Sequence, residues 1–512
     1  MKNFYLPKEI GEIIKKLKEA NFQAYLVGGC VRDILLAHLK SNSQKVFLPK
    51  DWDIATDALP QEVQKIFPES VYENEFGTVG VKVKSKDNSE TQIVEITTFR
   101  QEIGYSDKRH PDKIIFAKSL KEDLKRRDFT INALALDLPT SSLGALNQNR
   151  KYLKVLKFQL IDLFEGEKDL KNKIIRAVGD PNERFKEDAL RMLRAVRFAA
   201  QLDFDIENQT LNSIVENSHL LKFISKERIR DELIKMINTS RAAWAIQLLS
   251  NLKLLRFIIP ELEEGIGVTQ NKHHIYTVWE HNLRALDYAA KRNYSLEVRL
   301  ASLLHDVGKP RTKRGEGPES TFYGHEYVGA RMTEKILKNL KFPGEVVEKV
   351  TLLVKHHLFY YNVGEVTAAG VRRFLARVGE KNVDDLLKVR EADRIGSGVP
   401  KAFPYRLRHL KFMIEKVRHD PISPKQLKIN GYQLMEFLKI KPGPRVGHIL
   451  NALLEEVIED PKKNSEEYLK KKALELNKLS DEELQELRKR AEKRKQEYEA
   501  GIEAEMRSKY KV

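Results

Sequence analysis

The chain has 512 residues, 41% of them hydrophobic, which suits several packed domains. Lys and Arg number 91 against 74 Asp and Glu, and the net charge of +17 points to a polyanionic partner, nucleic acid first. Cys30 is the single cysteine, which excludes an intrachain disulfide and a Cys-rich zinc site and suits a reducing, cytoplasmic setting; Met1–Ala20 is amphipathic and lysine-rich rather than a signal peptide, and no apolar run is long enough for a bilayer.

Residues 1–140 mix strand and helix signals. An apolar run, Ala24-Tyr25-Leu26-Val27, ends in Gly28-Gly29, and Cys30-Val31-Arg32-Asp33 leads into a helical stretch. Asp51-Trp52-Asp53 follows with Ile54 behind it. Carboxylates at i and i+2 of a strand point to one face and repel unless a cation sits between them. Mg²⁺ suits such a pair, being held by one or two carboxylates and substrate phosphates. The glycines let backbone N–H groups approach a triphosphate. Further on, Gly80–Lys84 alternates, Gln92–Thr97 is β-branched, and Ser85–Glu90 between them reads as a polar hairpin-like turn. Glu95 is either a third carboxylate at the same site or an edge-strand residue facing water. Lys125–Ala133 gathers Arg126, Arg127, Asp128 and Asn132 at an apolar helix start, with guanidiniums for phosphate and Asp and Asn for ribose hydroxyls.

From about residue 165 the pattern is helical, so the fold class is α+β: a mixed head followed by an all-α remainder. Gly179-Asp180-Pro181 opens a helical block, Pro260–Thr269 reads as a linker, and Lys441-Pro442-Gly443-Pro444 is a sharp turn. Beyond Pro461, Lys and Glu dominate, with i,i+4 pairs such as Glu486 with Arg490, and a solvated helix is expected. In the helical pattern Arg184–Phe198, Asp188, Arg191 and Arg194 recur at i,i+3 on one expected face. A carboxylate beside a guanidinium forms an acceptor–donor edge. Cytosine and adenine fit that edge, whereas guanine and uracil leave polar groups unpaired.

Residues 270–395 carry a second constellation. His281, His305-Asp306, His325-Glu326, His356-His357 and Asp393 fall in separate helical segments, which suits a metal site inside a bundle. Imidazole with carboxylate suits Zn, Mn, Fe or Ni. His325 and His356 would allow a second metal, with His357 the alternative to its neighbour. The competing reading is a degenerate fold kept for helix packing or RNA support.

The first set of segments resembles the class II tRNA nucleotidyltransferase/poly(A) polymerase family. The match runs through Leu26-Val27-Gly28-Gly29 with Arg32-Asp33, Lys50–Thr56, Gly77-Thr78-Val79, Glu95–Arg100, and Tyr105 with Asp107, Arg109 and Pro111. It continues through Arg126–Asn132, Glu187–Arg191 and Glu227–Leu233. Lys428-Ile429-Asn430-Gly431 and Ile440–Pro444 also resemble these enzymes. The resemblance implies a polymerase-β-like nucleotidyltransferase head followed by all-α neck, body and tail. It implies addition of C, C and A to the 3′ end of tRNA from CTP and ATP without a nucleic-acid template. It also implies Mg²⁺ on Asp51 and Asp53, triphosphate and sugar contacts from Gly29, Arg32 and Arg127, and a base-selecting, phosphate-facing helix carrying Asp188, Arg191, Arg194 and Arg197. The middle constellation resembles an HD-domain phosphohydrolase, which implies metal ligands among His281, His305, Asp306, His325, His356 and Asp393, and a phosphatase or 2′,3′-cyclic phosphodiesterase.

The expected domains are a head (1–140), neck and body (141–265), an HD domain (266–400), a tail (401–460) and a charged extension (461–512). Leu36–Lys50 is longer than the family's usual connection, and Ser41–Gln44 reads as a surface loop insertion. Thr98–Pro111, the segment the family associates with the change from C to A, has the family's pattern and favours full CCA over CC-only addition. The rivals are a bacterial poly(A) polymerase with the same head, an HD phosphohydrolase with an inert head, and a non-catalytic RNA-binding scaffold.

Overall fold

A seven-stranded mixed sheet anchors the first part of the chain. In spatial order its strands are Gln159–Asp162, Leu134–Asp137, Ala24–Val27, Asp53–Thr56, Thr91–Thr98, Thr78–Lys84 and Ser70–Asn74. Only Asp53–Thr56 with Thr91–Thr98 is a parallel pair; the other neighbours are antiparallel. The computed structural model describes residues 3–40, 48–74, 77–84, 91–104, 113–142, 152–271, 275–359, 361–362, 366–398, 404–418, 420–421, 423–484 and 486. The expected loop at Ser41–Gln44, the turn at Ser85–Glu90, residues 105–111 of the expected switching segment, and Arg490 lie outside them.

Two compact units make up the chain, Met1–Pro260 and Glu261–Val512. In the first, helix Lys8–Glu19 buries Ile10, Ile13, Ile14 and Leu17, spaced to share one face, and ties Lys18 to Asp137 and the Leu138 carbonyl. Leu26, Ile54 and Ile96 are fully buried on three adjacent central strands. Val27, Ala55, Phe99, Leu120, Leu124 and Ala135 form a core cluster beside them. Beyond Gly166, the described strands are the two-residue pieces Ile174–Ile175 and Asp205–Ile206, paired parallel, and the rest is helix, as the sequence pattern predicts.

The second unit is helical throughout its named elements. Caps stand where their residues place them: Thr277 with Glu280, Ser295, Thr367, and Asn430 with Gln433. The expected linker after Pro260 begins instead as a short helix, Pro260–Glu263, with Leu262 buried. A core runs from Leu427 to Leu484 and includes Leu469, Ala473 and Leu476 of helix Glu466–Asn477. That helix is therefore packed on one side rather than solvated all round, because its three apolar residues recur on one face. No helix among the described residues is long and apolar enough to cross a membrane.

Candidate active site and a histidine–aspartate centre

The first site is built where strand Ala24–Val27 gives way to helix Gly29–Lys40. Gly28 makes the turn with φ +77°, and a Cβ there would stand 2.7 Å from Arg127 Nη1 and 3.5 Å from Asp53 Oδ2. Glycine thus keeps open the space shared by a carboxylate and a guanidinium. Asp53 opens strand Asp53–Thr56, while Asp51 stands exposed just before it rather than on the strand. Burial pushes the Asp53 carboxyl up and Asp51 adds to this, against the pull of Arg127 and Arg32. An ionised pair in this place therefore fits a cation. Glu95 lies in register with Asp53 on the parallel neighbour, hence on the same face, and is solvent-exposed.

Arg32 donates from Nη1 to Asn132 Oδ1 at 2.8 Å and from Nε to Asp33 Oδ1 at 2.8 Å. Arg127 reaches buried Asp123 at 3.3 Å, and its buried Nε has no hydrogen-bond partner. The segment around Arg126 and Arg127 is not the helix start expected from the sequence. Arg126 caps the C-terminal end of helix Leu120–Lys125, where the helix dipole favours cations. A short 3₁₀ turn, Thr130–Asn132, follows.

Asp188 also departs from the expected arrangement. It sits between helices Pro181–Glu187 and Leu190–Leu202, with Oδ1 accepting from Leu190 N–H at 3.0 Å, and so is not on a continuous helix with Arg191. Its carboxylate takes both terminal nitrogens of Arg228, at 3.2 and 2.7 Å. Arg191 turns instead to Glu187 at 2.6 Å and the Arg126 carbonyl at 3.0 Å. Arg194 holds Asp128 through Nε at 2.7 Å and Nη2 at 2.6 Å. Burial alone would raise Asp128; Arg194 and the Asn132 amide override it and hold the carboxyl at about 2. Arg197 is buried, bonded to Glu232 at 2.5 Å, with its guanidinium 3.9 Å from the Phe198 ring. It is a packed ion pair here rather than a phosphate-facing group. Asp128, expected at a ribose hydroxyl, is engaged by Arg194 instead, and Arg228 and Glu232, which the sequence reading gives no site role, lie in the charge-rich run Glu227–Glu232.

The second site lies wholly within the second unit. His281 comes from helix Val278–Lys291, His305 and Asp306 follow helix Leu296–Leu304, His325 opens helix His325–Asn339, and Asp393 lies on helix Glu380–Gly396. Of the adjacent pair His356-His357, it is His357, just past helix Gly344–His356, that faces inward; His356 ends the helix half-exposed. The cause is rotation of about 100° per residue, which cannot aim both rings one way. Gly308 lets the chain pass close by, since a Cβ there would meet the His325 carbonyl at 2.4 Å.

Asp306 is the pivot. Its Oδ2 is 3.1 Å from His281 Nε2, 3.4 Å from His305 Nε2 and 2.7 Å from Lys309 Nζ. Its Oδ1 is 3.3 Å from His325 Nε2 and 3.7 Å from His357 Nε2. Asp393 Oδ1 lies 3.3 Å from His281 Nε2. Three rings are fixed by Nδ1–H donation to backbone carbonyls: His305 to Ser302, His325 to Phe322 and His357 to Val354. Their Nε2 atoms are thereby aimed inward with lone pairs, the outer-shell arrangement of metal-ligating histidines. His281, His305 and Asp306 form one group able to hold an ion, and Asp306, His325 and His357 a second. Burial would lower His281, yet Asp306 and Asp393 push it up to about 9. His357 is pulled down to about 3 by burial and by His305. Both aspartates are held well below the carboxylate range against burial, Asp306 by Lys309 and His305 and Asp393 by Arg390 and His281. A proton on His281 therefore stands where a cation fits.

Known proteins match along most of the chain. Residues 24–176 match the poly A polymerase head domain, residues 203–266 the family described as "Probable RNA and SrmB- binding site of polymerase A", and residues 327–473 the tRNA nucleotidyltransferase domain 2 family. A CCA-adding enzyme of Lactobacillus helveticus is 34% identical over 90% of this chain and 94% of its own. An A-adding tRNA nucleotidyltransferase of Deinococcus radiodurans is 36% identical over 67% of this chain and 76% of its own. Among solved structures, the Bacillus stearothermophilus CCA-adding enzyme in complex with CTP aligns with a TM-score of 0.64 at 28% identity, covering 92% of this chain and 97% of that one. With the head fold, the aspartate–arginine site and near-full-length relatives in agreement, this chain belongs to the CCA-adding tRNA nucleotidyltransferase family.

Proposed function

We propose that this chain adds C, C and A to the 3′ end of tRNA, taking them from CTP and ATP without a nucleic-acid template and releasing pyrophosphate. The observation that carries the reading is the gap held open by Gly28 between Asp53 and Arg127, with Asp51 beside it on the chain. Mg²⁺ bound by Asp51 and Asp53 would supply charge neutralisation at the triphosphate and favour ionisation of the attacking hydroxyl. The tRNA 3′-hydroxyl oxygen bonds to the α-phosphorus, the bond to the β-phosphate oxygen breaks, and pyrophosphate leaves. Arg32 and Arg127 stand beside Asp53 to receive that charge, and the buried Nε of Arg127 is a donor suited to a phosphate oxygen. Gly29 brings backbone N–H close to the same anion. Asp188, held by Arg228, would supply the acceptor that reads C and A, and Arg191, bonded to Glu187 and the Arg126 carbonyl, would have to leave them to supply the donor beside it. Arg194 and Arg197, engaged by Asp128 and Glu232, hold that region in place.

A tRNA transcript lacking CCA, incubated with CTP, ATP or both and sequenced at its ends, tests this. The expected product gains C-C with CTP and C-C-A with both. A long A tract from ATP alone would replace the reading with a poly(A) polymerase, and C-C without A with a CC-adding enzyme. The Deinococcus relative supports one further reading, A addition alone, in which only a transcript already ending in C-C is extended.

The histidine–aspartate centre supports a second activity: a divalent transition metal (Mn, Ni, Fe or Zn) held by His281, His305, Asp306 and Asp393, with His325 and His357 able to hold another, serving a phosphatase or 2′,3′-cyclic phosphodiesterase acting on damaged tRNA ends. The inward Nε2 atoms carry this reading. Lys309, buried between Asp306 and Gln270, adds positive charge suited to a phosphate. Asp306→Ala should abolish phosphoester hydrolysis and spare CCA addition; unchanged hydrolysis rejects it. The finer division into head, neck and body, HD domain and tail belongs to the same reading, with the tail carried on to Leu484 because one core spans the 460/461 boundary.

A further inference from the structure

Helix Tyr405–Val417 carries two faces of different character. Leu407, Leu410, Ile414 and Val417 are buried. Tyr405, His409 and Phe412, at i, i+4 and i+7, share another face. Tyr405 is 61% exposed and Phe412 60%. Their rings form a ladder, with 6.0 Å from Tyr405 to His409 and 6.1 Å from His409 to Phe412. Tyr361 joins from the side at 5.8 Å and is hydrogen-bonded through its hydroxyl to His409 Nδ1, which fixes the middle ring. Arg408, Lys411 and Lys416 are exposed on the same helix.

Packing does not explain the ladder, because the helix is already seated by its aliphatic face. We propose that this face binds an unpaired RNA strand, its bases stacking on Tyr405, His409 and Phe412 and its phosphates meeting Arg408, Lys411 and Lys416. Every base has a π face, and an aromatic row beside cations is the sequence-tolerant way to hold a single strand. An apolar protein partner would leave those cations without a counterpart. The placement matters for the second site. Tyr361 is four residues past His357, at most about 14 Å of chain, so a strand on the ladder lies within reach of the histidine–aspartate centre. The inference rests on the RNA reading above for the identity of its ligand, but not on hydrolysis at that centre.

The test is a fluorescence-anisotropy titration of the full chain with a labelled single-stranded RNA. Tyr405→Ala with Phe412→Ala should weaken binding about tenfold or more, Phe412→Leu should weaken it as Phe412→Ala does, and Phe412→Trp should stay within about twofold of the parent. An unchanged melting curve shows that these exposed changes leave the fold intact. Parent-like binding by the double variant or by Phe412→Leu overturns the inference, and so does a parent that binds no single-stranded RNA, while the functional reading stands or falls separately on extension of the tRNA transcript. Sedimentation covers the remaining occupant: a parent dimer dissolved by Phe412→Ala, with RNA binding unchanged, assigns the face to a second copy and overturns the proposal.

Discussion

Asp188 gives its carboxylate to Arg228, not to Arg191, although Arg191 is three residues away and Arg228 is forty. The pair bridges the break between helices Pro181–Glu187 and Leu190–Leu202 and helix Lys226–Ile237. Two parallel N–H···O contacts orient a carboxylate in a plane, which one contact does not. Arg228 is in this way a positioning residue for the carboxylate proposed to read the base.

Arg228→Ala should loosen nucleotide selection. We expect the preference for CTP and ATP over GTP and UTP to fall by about tenfold to a hundredfold, since a misplaced carboxylate no longer leaves the wrong base with unpaired groups. Arg228→Lys should restore little, because an ammonium cannot make the planar pair. Single-nucleotide incorporation measures both, and unchanged selectivity in Arg228→Ala defeats the positioning role.

Asp53 is held above the ordinary carboxylate range by burial and by Asp51. Ionised without a cation, it costs the fold stability. Asp53→Asn should therefore melt no lower than the parent in a Mg²⁺-free buffer, while nucleotide addition falls by about a thousandfold or more. A clear loss of melting temperature would show that Asp53 stabilises the fold instead.

Asp128 behaves in the opposite sense. Its folded value of about 2 lies below the unfolded one near 3.9, so its contribution is complete above about pH 4 and disappears as pH falls through about 2. The shift corresponds to about 2 to 3 kcal/mol. Acid unfolding of the parent should be steep between these limits, and Asp128→Asn should flatten it while lowering stability at pH 7. Denaturant melts across that range check the sign.

At the second centre, His357→Ala should reduce the metal retained after loading with Mn²⁺ or Ni²⁺ and desalting, whereas His356→Ala should not. Of the adjacent pair, His357 is the buried one and has its Nε2 3.7 Å from Asp306 Oδ1. Elemental analysis of the two variants decides it, and equal loss from both would remove the distinction.

Much of this was legible from local pattern. The α+β head, the helical remainder, the glycine turn before Arg32 and the histidine–aspartate constellation all follow from spacing and residue type. Partner choice was harder. Helical periodicity puts Asp188 and Arg191 on one face only if the helix is continuous, and the backbone breaks between Glu187 and Leu190. Arg126 and Arg127 looked like the start of a helix because their apolar neighbours follow; they close one instead.

The sequence by itself determined which chemistry this protein holds: paired carboxylates and guanidiniums behind a glycine turn, and imidazoles with aspartates on separate helices. Tertiary structure alone decided which of those groups meet. It chose Arg228 for Asp188, Arg194 for Asp128, Glu232 for Arg197 and His357 over His356. The reason is physical. Period and propensity act over a few residues, whereas an ion pair between residues 35 to 66 apart depends on how helices pack and on the desolvation that makes each buried charge take the nearest partner of opposite sign.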